Sequence, residues 1–339
     1  MILVHKPAWF RDGEVFVSYA PTVGINKDGE ELFVVDSETG TRTTEIDDQI
    51  RSDLTALIDE FETTETSRWI RLAELTGQLT AVPNYFDERS IREFAELIDS
   101  PEMEDFTSKT LGELVDDGTL LAMNGHGSPS ADFRTGNIPY IKVSDIRAGQ
   151  VNINPTNRVP EVVAHRFWKG DDSRLQAYDL ITPIRTSKNI GDFAVIMPGQ
   201  ERVVLTKEVL VIRASTEADF DNFYLLWAMT LKAVRRQWDR IVFMQTNRED
   251  VGRRYREILL PVPPSREVAD AVSKAFREYY VGTQQLRDNL LSYLANDEKH
   301  HIFMSSAAAV VDVLVDDNSV DDVLAHEDSV LDDMGDADE

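Results

Sequence analysis

The sequence predicts an α+β fold, and three observations indicate it. Between Thr107 and Pro264, short runs of Val, Ile and Leu are separated by clusters of Gly, Pro, Asn and Asp, which is typical of short strands and turn-rich loops. On either side of this segment, apolar residues recur at helical spacing. The chain has 339 residues, of which 42% are hydrophobic, enough to bury one or two conventional cores.

Residues 1–106 are predicted to form a small region of one hairpin and several helices. The segment Glu14 to Tyr19 alternates apolar and polar residues, and Asp28-Gly29 is typical of a hairpin turn before the next apolar run. Helical spacing predicts three helices, over about 46–61, 67–79 and 87–98. Because this region is acidic, we expect it to contact a protein partner and not DNA.

Residues 107–264 are predicted to form one α+β domain. Its strands are expected at apolar runs within 120–123, 140–143, 180–183, 193–196, 203–205 and 209–212. A helix is predicted from Phe220 to Trp238. The segment Leu259 to Pro264 is predicted to be an extended linker, because each of its prolines removes a backbone donor and disfavours helix before it.

A long amphipathic helix is predicted over residues 265–298, with Ser265 as its N-cap. Its apolar positions follow a mostly 4-3 spacing, which favours pairing with a second helix. Packing on the chain's own domain is the alternative, and Gly282 in the seam favours that alternative. The expected pairing face consists of Val268, Val272, Ala275, Tyr279, Leu286, Leu290 and Tyr293.

Residues 299–339 are expected to be a disordered acidic tail. After Lys299 this segment has no Lys or Arg, and its twelve Asp and Glu are interleaved with Val and Leu. Such a composition cannot bury enough apolar surface to order itself. We expect the tail to serve solubility or a basic partner.

Charge is divided unevenly along the chain. Residues 107–264 hold 21 Lys and Arg against 19 Asp and Glu, whereas the rest of the chain holds 14 against 42, which together give the net charge of -26. Eight of the cations lie between Lys232 and Arg256. This concentration favours a polyanionic ligand for the central domain, although a solvated basic helix face is the alternative.

Several classes of protein are disfavoured by what the sequence lacks. The absence of Cys excludes disulfides and cysteine nucleophiles, and the six His have no metal-ligand spacing. The sequence has no GxGxxG, Walker A or GxSxG pattern, and no Asn-Pro-Pro-Tyr or Asp-Pro-Pro-Tyr tetrapeptide. We therefore expect a non-catalytic chain with no cofactor and no metal. Without a long apolar run or a signal peptide, we expect it in the cytoplasm.

Three polar loops of the central domain are candidates for DNA contact. They cover residues 125–134, 185–191 and 245–254, and they carry the residue types that bind phosphates and base edges. A tight turn explains Gly125-His126-Gly127 equally well. The complete candidate set, including cations outside these loops, is Gly125, His126, Gly127, Ser128, Arg134, Lys142, Arg185, Ser187, Lys188, Asn189, Lys232, Arg236, Gln245, Thr246, Asn247, Arg248, Arg253 and Arg254.

An ordered set of motifs resembles a known family. The motifs are Thr110-Leu-Gly-Glu-Leu, Gly125-His-Gly-Ser-Pro, 136–146, 180–191, 205–213 and Ile258-Leu-Leu-Pro-Val-Pro-Pro264. Over residues 107–295 they resemble the target recognition domains of type I restriction-modification specificity subunits, and similar domains fused to adenine methyltransferases. Residues 21–58 resemble the C-terminal extension of such methyltransferases.

The resemblance implies a target recognition domain, followed by a long helix that pairs with another helix to set the spacing between two DNA half-sites. The chain departs from a full specificity subunit because it holds one recognition domain and one long helix, not two of each. It is therefore expected to be a half subunit that homodimerises, or the detached rear part of a methyltransferase-specificity fusion.

The function expected from the resemblance is sequence-specific recognition of double-stranded DNA. A separate adenine methyltransferase, which would bind S-adenosylmethionine, is the expected partner, together with a restriction translocase where the system includes one. The alternative from another class is an acidic DNA mimic or adaptor that binds basic proteins. That alternative accounts for the acidic flanks but not for the Arg cluster.

Overall fold

The structure is a computed structural model that describes residues 7–296, except residues 27, 79, 130–134, 155, 186, 246 and 247. For Gln78, Met244, Gln245, Arg248 and Glu249 it describes the backbone alone. The chain divides into one compact unit that ends at Ser292 and a second that begins at Tyr293. The expected acidic tail at 299–339 lies outside the described residues.

Within the described residues, two small antiparallel sheets and three α-helices form the N-terminal part. Strand β1 (Glu14–Ser18) pairs with β4 (Ser67–Arg71), and β2 (Phe33–Val35) pairs with β3 (Arg42–Ile46). The helices are α1 (Gln49–Thr55), which continues into a π turn at Ala56–Glu60, α2 (Leu72–Gln78) and α3 (Arg89–Ile98).

Two predictions for this part need correction. The turn at Asp28-Gly29 exists, with Gly29 at φ +83°, but it closes only an isolated bridge between Ile25 and Glu31. The predicted helix at 67–79 begins as strand β4, because pairing with β1 satisfies its backbone and buries Ile70. Tertiary pairing thus overrides the local helical spacing.

A six-stranded open sheet organises the middle of the chain. Its strands are β6 (Leu120–Asn124), β8 (Ile146–Arg147), β9 (Gln150–Val151), β11 (Leu180–Pro183), β12 (Ala194–Val195) and β14 (Val209–Ala214). Their order in the sheet is β6-β14-β11-β12-β9-β8, and only the pairing of β12 with β9 is parallel. Strand β6 therefore lies at one edge of the sheet.

Smaller sheets surround this one. Strands β7 (Ile138–Ile141), β10 (Arg158–Val159) and β13 (Val204–Leu205) form a three-stranded sheet in the order β10-β7-β13. Strand β5 (Thr107–Thr110) pairs with β17 (Leu259–Val262), and β15 (Phe243–Gln245) pairs with β16 (Arg248–Asp250). Helices α4 (Leu111–Asp116) and α5 (Glu161–Trp168) connect strands of this region. The chain is thus a mixed α and β fold with open sheets, as predicted.

The proline-rich segment predicted to be a linker is strand β17. It pairs with β5 along its whole length, and Leu260 is buried. The buried Tyr224 hydroxyl donates to the Pro261 carbonyl at 2.9 Å. Prolines are tolerated here because β17 has one strand partner and its other edge needs no ladder donor.

The helix predicted from Phe220 to Trp238 is two helices, α6 (Asn222–Thr230) and α7 (Lys232–Ile241). They separate at Leu231, whose backbone is extended at φ −60° and ψ 130°. Asp221 caps α6 by accepting from the amides of Phe223 and Tyr224. The principal core includes residues from β1 and α3 as well as α6 and α7, so it is continuous across residue 106.

Helix α8 (Arg266–Ala295) has two apolar faces with different surroundings. Ala269, Ser273 and Tyr280 are buried on one face, where Val272 and Phe276 also contact the core. On the other face Tyr279, Leu286 and Leu290 are exposed. Of the predicted pairing face, Val272 therefore packs on the chain's own domain, as the alternative predicted. Ala275 and Tyr293 are exposed.

Candidate nucleic-acid interface

A polar groove of about 820 Å³ lies beside strand β6. We call it the edge groove. Five segments line it: the end of α4, strand β6, the residues after β11, the turn before β14, and the end of β16 with the residues after it. The lining residues are Asp116, Ala122, Met123, Asn124, Ile184, Arg185, Lys207, Glu208, Asp250, Gly252, Arg253, Tyr255 and Arg256.

The groove forms because β6 ends against the turn that precedes β14. Gly125 follows β6, and a Cβ at this position would lie 2.0 Å from the Thr206 carbonyl oxygen. The Gly125 amide donates to the Val209 carbonyl at 2.8 Å. Only glycine permits this approach, which places Asn124 and Lys207 on the same groove.

Two cations of the edge groove are held by carboxylates. Arg185 binds the buried Asp250 through Nε at 2.7 Å and Nη2 at 2.5 Å. Arg256 binds Asp116 at 2.7 Å and donates to the Gly112 carbonyl at 3.2 Å. The hydrogen bond to Asp116 raises the pKa of Arg256, so its charge is fixed at any working pH. These pairs position the guanidinium groups on the groove wall.

Two other cations of the edge groove have no carboxylate partner among the residues that the structure describes. Lys207 and Arg253 are exposed, and within the described part of the chain neither side chain forms a hydrogen bond or ion pair. Arg254, the neighbour of Arg253, lies 3.8 Å over the Phe243 ring. Lys207 and Arg253 are therefore the groove cations that a phosphate would neutralise.

A second groove of about 620 Å³ is lined by the middle of the predicted loop at 185–191. Ser187, Lys188 and Asn189 line it together with Arg147. Lys188 is exposed, whereas the Asn189 side chain donates to the Ile146 carbonyl at 3.4 Å. Because Arg185 lines the edge groove, this loop borders both grooves.

The loop at 125–128 contacts the protein itself. His126 Nδ1 accepts from the Leu205 amide at 2.9 Å, and His126 Nε2 lies 2.8 Å from the Ser173 carbonyl, to which it donates. Burial lowers the pKa of His126, so the ring is neutral. Ser128 bonds to the Thr206 hydroxyl at 3.1 Å, and a Cβ on Gly127 would lie 2.3 Å from the Phe167 ring. The tight-turn interpretation therefore explains these residues.

The arginines of α7 form ion pairs with carboxylates of the chain itself, so their charges are largely neutralised within the fold. Arg236 pairs with Glu93 of α3 at 2.7 Å, and Arg240 pairs with Glu257 at 3.1 Å. Arg235 pairs with Asp192 at 3.0 Å. Lys232 is exposed at the start of α7 and makes no side-chain hydrogen bond or ion pair to another described residue. Among the described side chains of the dense basic segment, Arg235, Arg236 and Arg240 thus form internal ion pairs, Arg253 and Arg256 line the edge groove, and Lys232 does neither.

The remaining predicted residues are partly outside the described chain. Lys142 donates to the buried Asn157 side chain at 3.2 Å and so has an internal partner. Gln245 and Arg248 face each other in the register of β15 and β16, with backbone alone described. Arg134, Thr246 and Asn247 lie outside the described residues.

Sequence reasoning missed several residues of the grooves. Asn124, Lys207 and Tyr255 line the edge groove, and Arg147 lines the second groove. The signal available in the sequence was a polar residue directly after a predicted strand, which applies to Asn124. Lys207 lies in the short turn between two predicted strands. Asn124 and Lys207 lie close together because β6 is the edge strand of the six-stranded sheet, and this strand order is not visible in the sequence.

Two further findings concern the part of the chain that the structure describes. It contains no cluster of three or more His, Asp or Glu side chains arranged to hold a metal ion. None of its helices combines the length and the apolar character that crossing a bilayer requires.

No family model matches the sequence, and no curated protein matches it. Among solved structures, the chain is similar to the S subunit of a type-I restriction-modification system from M. genitalium, at 13% identity and a TM-score of 0.34 over 57% of this chain and 41% of that one. It is also similar to the HsdS subunit from Thermoanaerobacter tengcongensis, at 11% identity and a TM-score of 0.33 over 66% of this chain and 55% of that one.

A third similar chain comes from a structure of the assembly and conformational transition of the type I R-M system. The identity is 12% and the TM-score is 0.35, over 74% of this chain and 65% of that one. The chain thus spans between 41% and 65% of the length of these three structures.

Proposed function

We propose that the chain is a non-catalytic subunit that recognises a DNA sequence. The observation that carries this proposal is the edge groove, where Lys207 and Arg253 are exposed cations without a carboxylate partner among the described residues and Asn124 is exposed beside them. Cations that bind phosphates and an amide that can bind a base edge are the two components of sequence-specific recognition.

Each group of the edge groove has a role in this proposal. Lys207 and Arg253 bind phosphates and set the position of the duplex. Arg185 is oriented by Asp250, which engages Nε and Nη2, so Nη1 keeps its donors for guanine. Asn124 has the donor and acceptor pair that matches adenine. Lys188 and Arg147 of the second groove extend the phosphate contacts along the strand.

The chemistry on DNA belongs to other polypeptides in this proposal. A separate adenine methyltransferase, which binds S-adenosylmethionine, is recruited to the recognised site, with a restriction translocase as a further subunit where the system has one. The exposed stripe on α8, which includes Leu286 and Leu290, pairs with the same stripe of a second copy. Two copies then present two edge grooves to a bipartite site.

The proposal is tested by selecting bound duplexes from a random pool with the purified full-length chain, alone and with an adenine methyltransferase subunit. We expect an enriched sequence, and we expect Asn124→Ala to lose preference at one base pair at a cost of about 1–3 kcal/mol. A matched control is Asn222→Ala in α6, whose amide serves the fold by bonding to Ala214 and Tyr178.

Two outcomes would overturn the proposal. One is binding of cognate and random duplexes with equal affinity for the wild type and for every groove variant. The other is competition with DNA for the methyltransferase, which the acidic DNA-mimic alternative predicts, because a mimic displaces the duplex and a recognition subunit recruits it.

A further inference from the structure

The N-terminal part exposes an unusual amount of apolar surface. Among the described residues, half of the large apolar side chains that are exposed lie between Val23 and Phe61. Leu54 is 44% exposed and Ile58 is 52% exposed. Concentrated apolar exposure of this kind marks interaction surfaces.

Part of this surface is a groove of about 450 Å³, which we call the helix groove. Ile50, Leu54 and Ile58 form one wall at spacings of four along α1 and the π turn that follows it. Val23 forms the opposite wall and is joined to α1 through its bridge to Asp48. The groove is also lined by Arg51, Thr55 and Asp59.

The stripe of Ile50, Leu54 and Ile58 lies on the side of the helix that faces away from the chain's own contacts. Its inward face carries Leu57, which is buried, and Asp53, which is buried and accepts from the hydroxyls of Ser18, Thr64 and Thr66. Those bonds attach the helix to β1 and to the segment before β4. The outward stripe of Ile50, Leu54 and Ile58 is therefore available to a partner.

Charge identifies the chemistry of that partner. Residues 21–62 hold twelve Asp and Glu against three Lys and Arg. A second copy of this surface would bring like charges together, and the acidic segment after Lys299 would be repelled in the same way. Charge complementarity therefore requires a cationic partner.

We propose that the helix groove binds a basic amphipathic helix of a partner protein. The three stripe residues span eight positions, which is about 12 Å of helix, and this matches two or three anchors at i, i+3 or i+4, and i+7 of a bound helix. The apolar face of the partner helix packs on Leu54 and Ile58, and its Lys and Arg pair with the surrounding carboxylates, including Asp48 and Asp59. This inference does not depend on DNA binding by the edge groove.

The test uses a labelled synthetic helix of twenty residues as the probe, with Leu at i, i+3, i+4 and i+7 and Lys on the opposite face. Fluorescence anisotropy measures its binding to the full-length chain. The groove variant is Leu54→Ser with Ile58→Ser, which leaves the net charge unchanged. The matched control is Leu72→Ser with Val162→Ser, which removes exposed apolar side chains from α2 and α5, outside both proposed interfaces.

We expect the groove variant to bind the Lys helix at least tenfold more weakly than the wild type, while the control variant binds it as the wild type does. The variant Asp48→Asn with Asp59→Asn should also weaken binding and reduce its dependence on salt. Leu54 and Ile58 are both exposed, so circular dichroism should show that Leu54→Ser with Ile58→Ser keeps the wild-type fold.

Three results would overturn the inference. Equal binding by all variants would show attraction to the acidic chain as a whole. Equal binding of a helix with Glu in place of Lys would show unspecific apolar contact. Self-association of the wild type that Leu54→Ser with Ile58→Ser abolishes, measured by sedimentation, would make a second copy of the chain the occupant.

Discussion

His126 lies with both ring nitrogens bonded to backbone groups, and burial lowers its pKa from the usual 6.5. Below pH 6.5 the unfolded chain protonates this histidine before the folded chain does. The unfolded state then binds more protons, so the free energy of unfolding falls as the pH falls below about 6.5. The residue therefore links the loop after β6 to the stability of the fold in mildly acidic solution.

We expect His126→Gln to lower the free energy of unfolding by about 1–3 kcal/mol at pH 7.5, because a buried amide and a buried carbonyl lose good partners. The difference between wild type and variant should shrink at pH 5.5, since the wild type alone loses the histidine contribution. Urea unfolding at pH 7.5 and pH 5.5 measures this difference in the free energy of unfolding.

His165→Gln is the matched control, because His165 lies at the end of α5 with a side chain that is 35% exposed. A difference between wild type and His126→Gln that stays constant from pH 7.5 to 5.5 would contradict the assignment of His126 as a buried neutral ring.

Arg253 and Arg185 line the same groove but should respond differently to truncation. Arg253→Ala removes an exposed cation without a carboxylate partner among the described residues, so we expect weaker binding to all duplexes and unchanged stability. Arg185→Ala leaves the buried Asp250 carboxylate with the Gly252 amide as its remaining partner among the described residues, so we expect a loss of about 1–3 kcal/mol in the free energy of unfolding.

Duplex titration and urea unfolding of the same two variants separate these effects. Lys274→Ala is the control for charge, because Lys274 is exposed on α8 and pairs with Glu278 at 3.7 Å. Unchanged duplex affinity of Arg253→Ala would remove this residue from the proposed interface.

At the scale of elements, α8 combines an inner face that fixes it to the core with an outer face that stays exposed. Tyr280 donates to the Gly149 carbonyl at 2.9 Å, and Arg277 pairs with Asp221, the cap of α6, at 2.5 Å. These contacts orient the helix. The outer stripe includes Leu286, which is 72% exposed.

We expect the wild type to form a dimer through this stripe and Leu286→Asp with Leu290→Asp to be monomeric, because the substitutions place charges in an apolar seam. Sedimentation equilibrium at micromolar concentrations measures the association. A control on the inner face is Tyr280→Phe, which removes the bond to Gly149 and leaves the outer stripe intact. A wild type that is monomeric at all these concentrations would contradict pairing through α8.

The elements also show where local patterns succeed. Helices α3 and α8 and strands β6, β11 and β14 lie where apolar spacing predicts them, because these patterns act within a few residues. The predictions of a helix at 67–79 and of a linker at 259–264 are wrong, because these segments contain strands β4 and β17. Both segments form strands because they pair with distant parts of the chain: Ser67 of β4 pairs with Ser18 of β1, and Leu259 of β17 pairs with Thr110 of β5.

At the scale of the whole molecule, the net charge of -26 opposes the proposed DNA binding, so the cations of the two grooves would have to attract the duplex locally. Many cations of the central domain are already neutralised by internal pairs, including Arg236 with Glu93 and Arg240 with Glu257. We therefore expect the chain alone to bind DNA weakly, with a partner subunit supplying further phosphate contacts.

We expect the duplex affinity of the chain to fall steeply with salt, with a slope of about -0.9 in log affinity against log salt for each phosphate neutralised. Lys207→Ala and Arg253→Ala should each reduce the magnitude of that slope by about 0.9, because each removes one phosphate contact. Titrations between 50 and about 200 mM salt measure the slope. A flat salt dependence would indicate a ligand other than nucleic acid.

The sequence by itself determined the α+β character, the long helix α8 and the uneven distribution of charge, because composition and short-range periodicity carry these properties. Tertiary structure decided which cations are available. Glu93 lies 143 positions from Arg236, and Asp250 lies 65 positions from Arg185, so no local pattern could show that these arginines are paired. The same long-range packing placed Asn124 and Lys207 on one groove, since a sheet edge is defined by strands that pair across the chain.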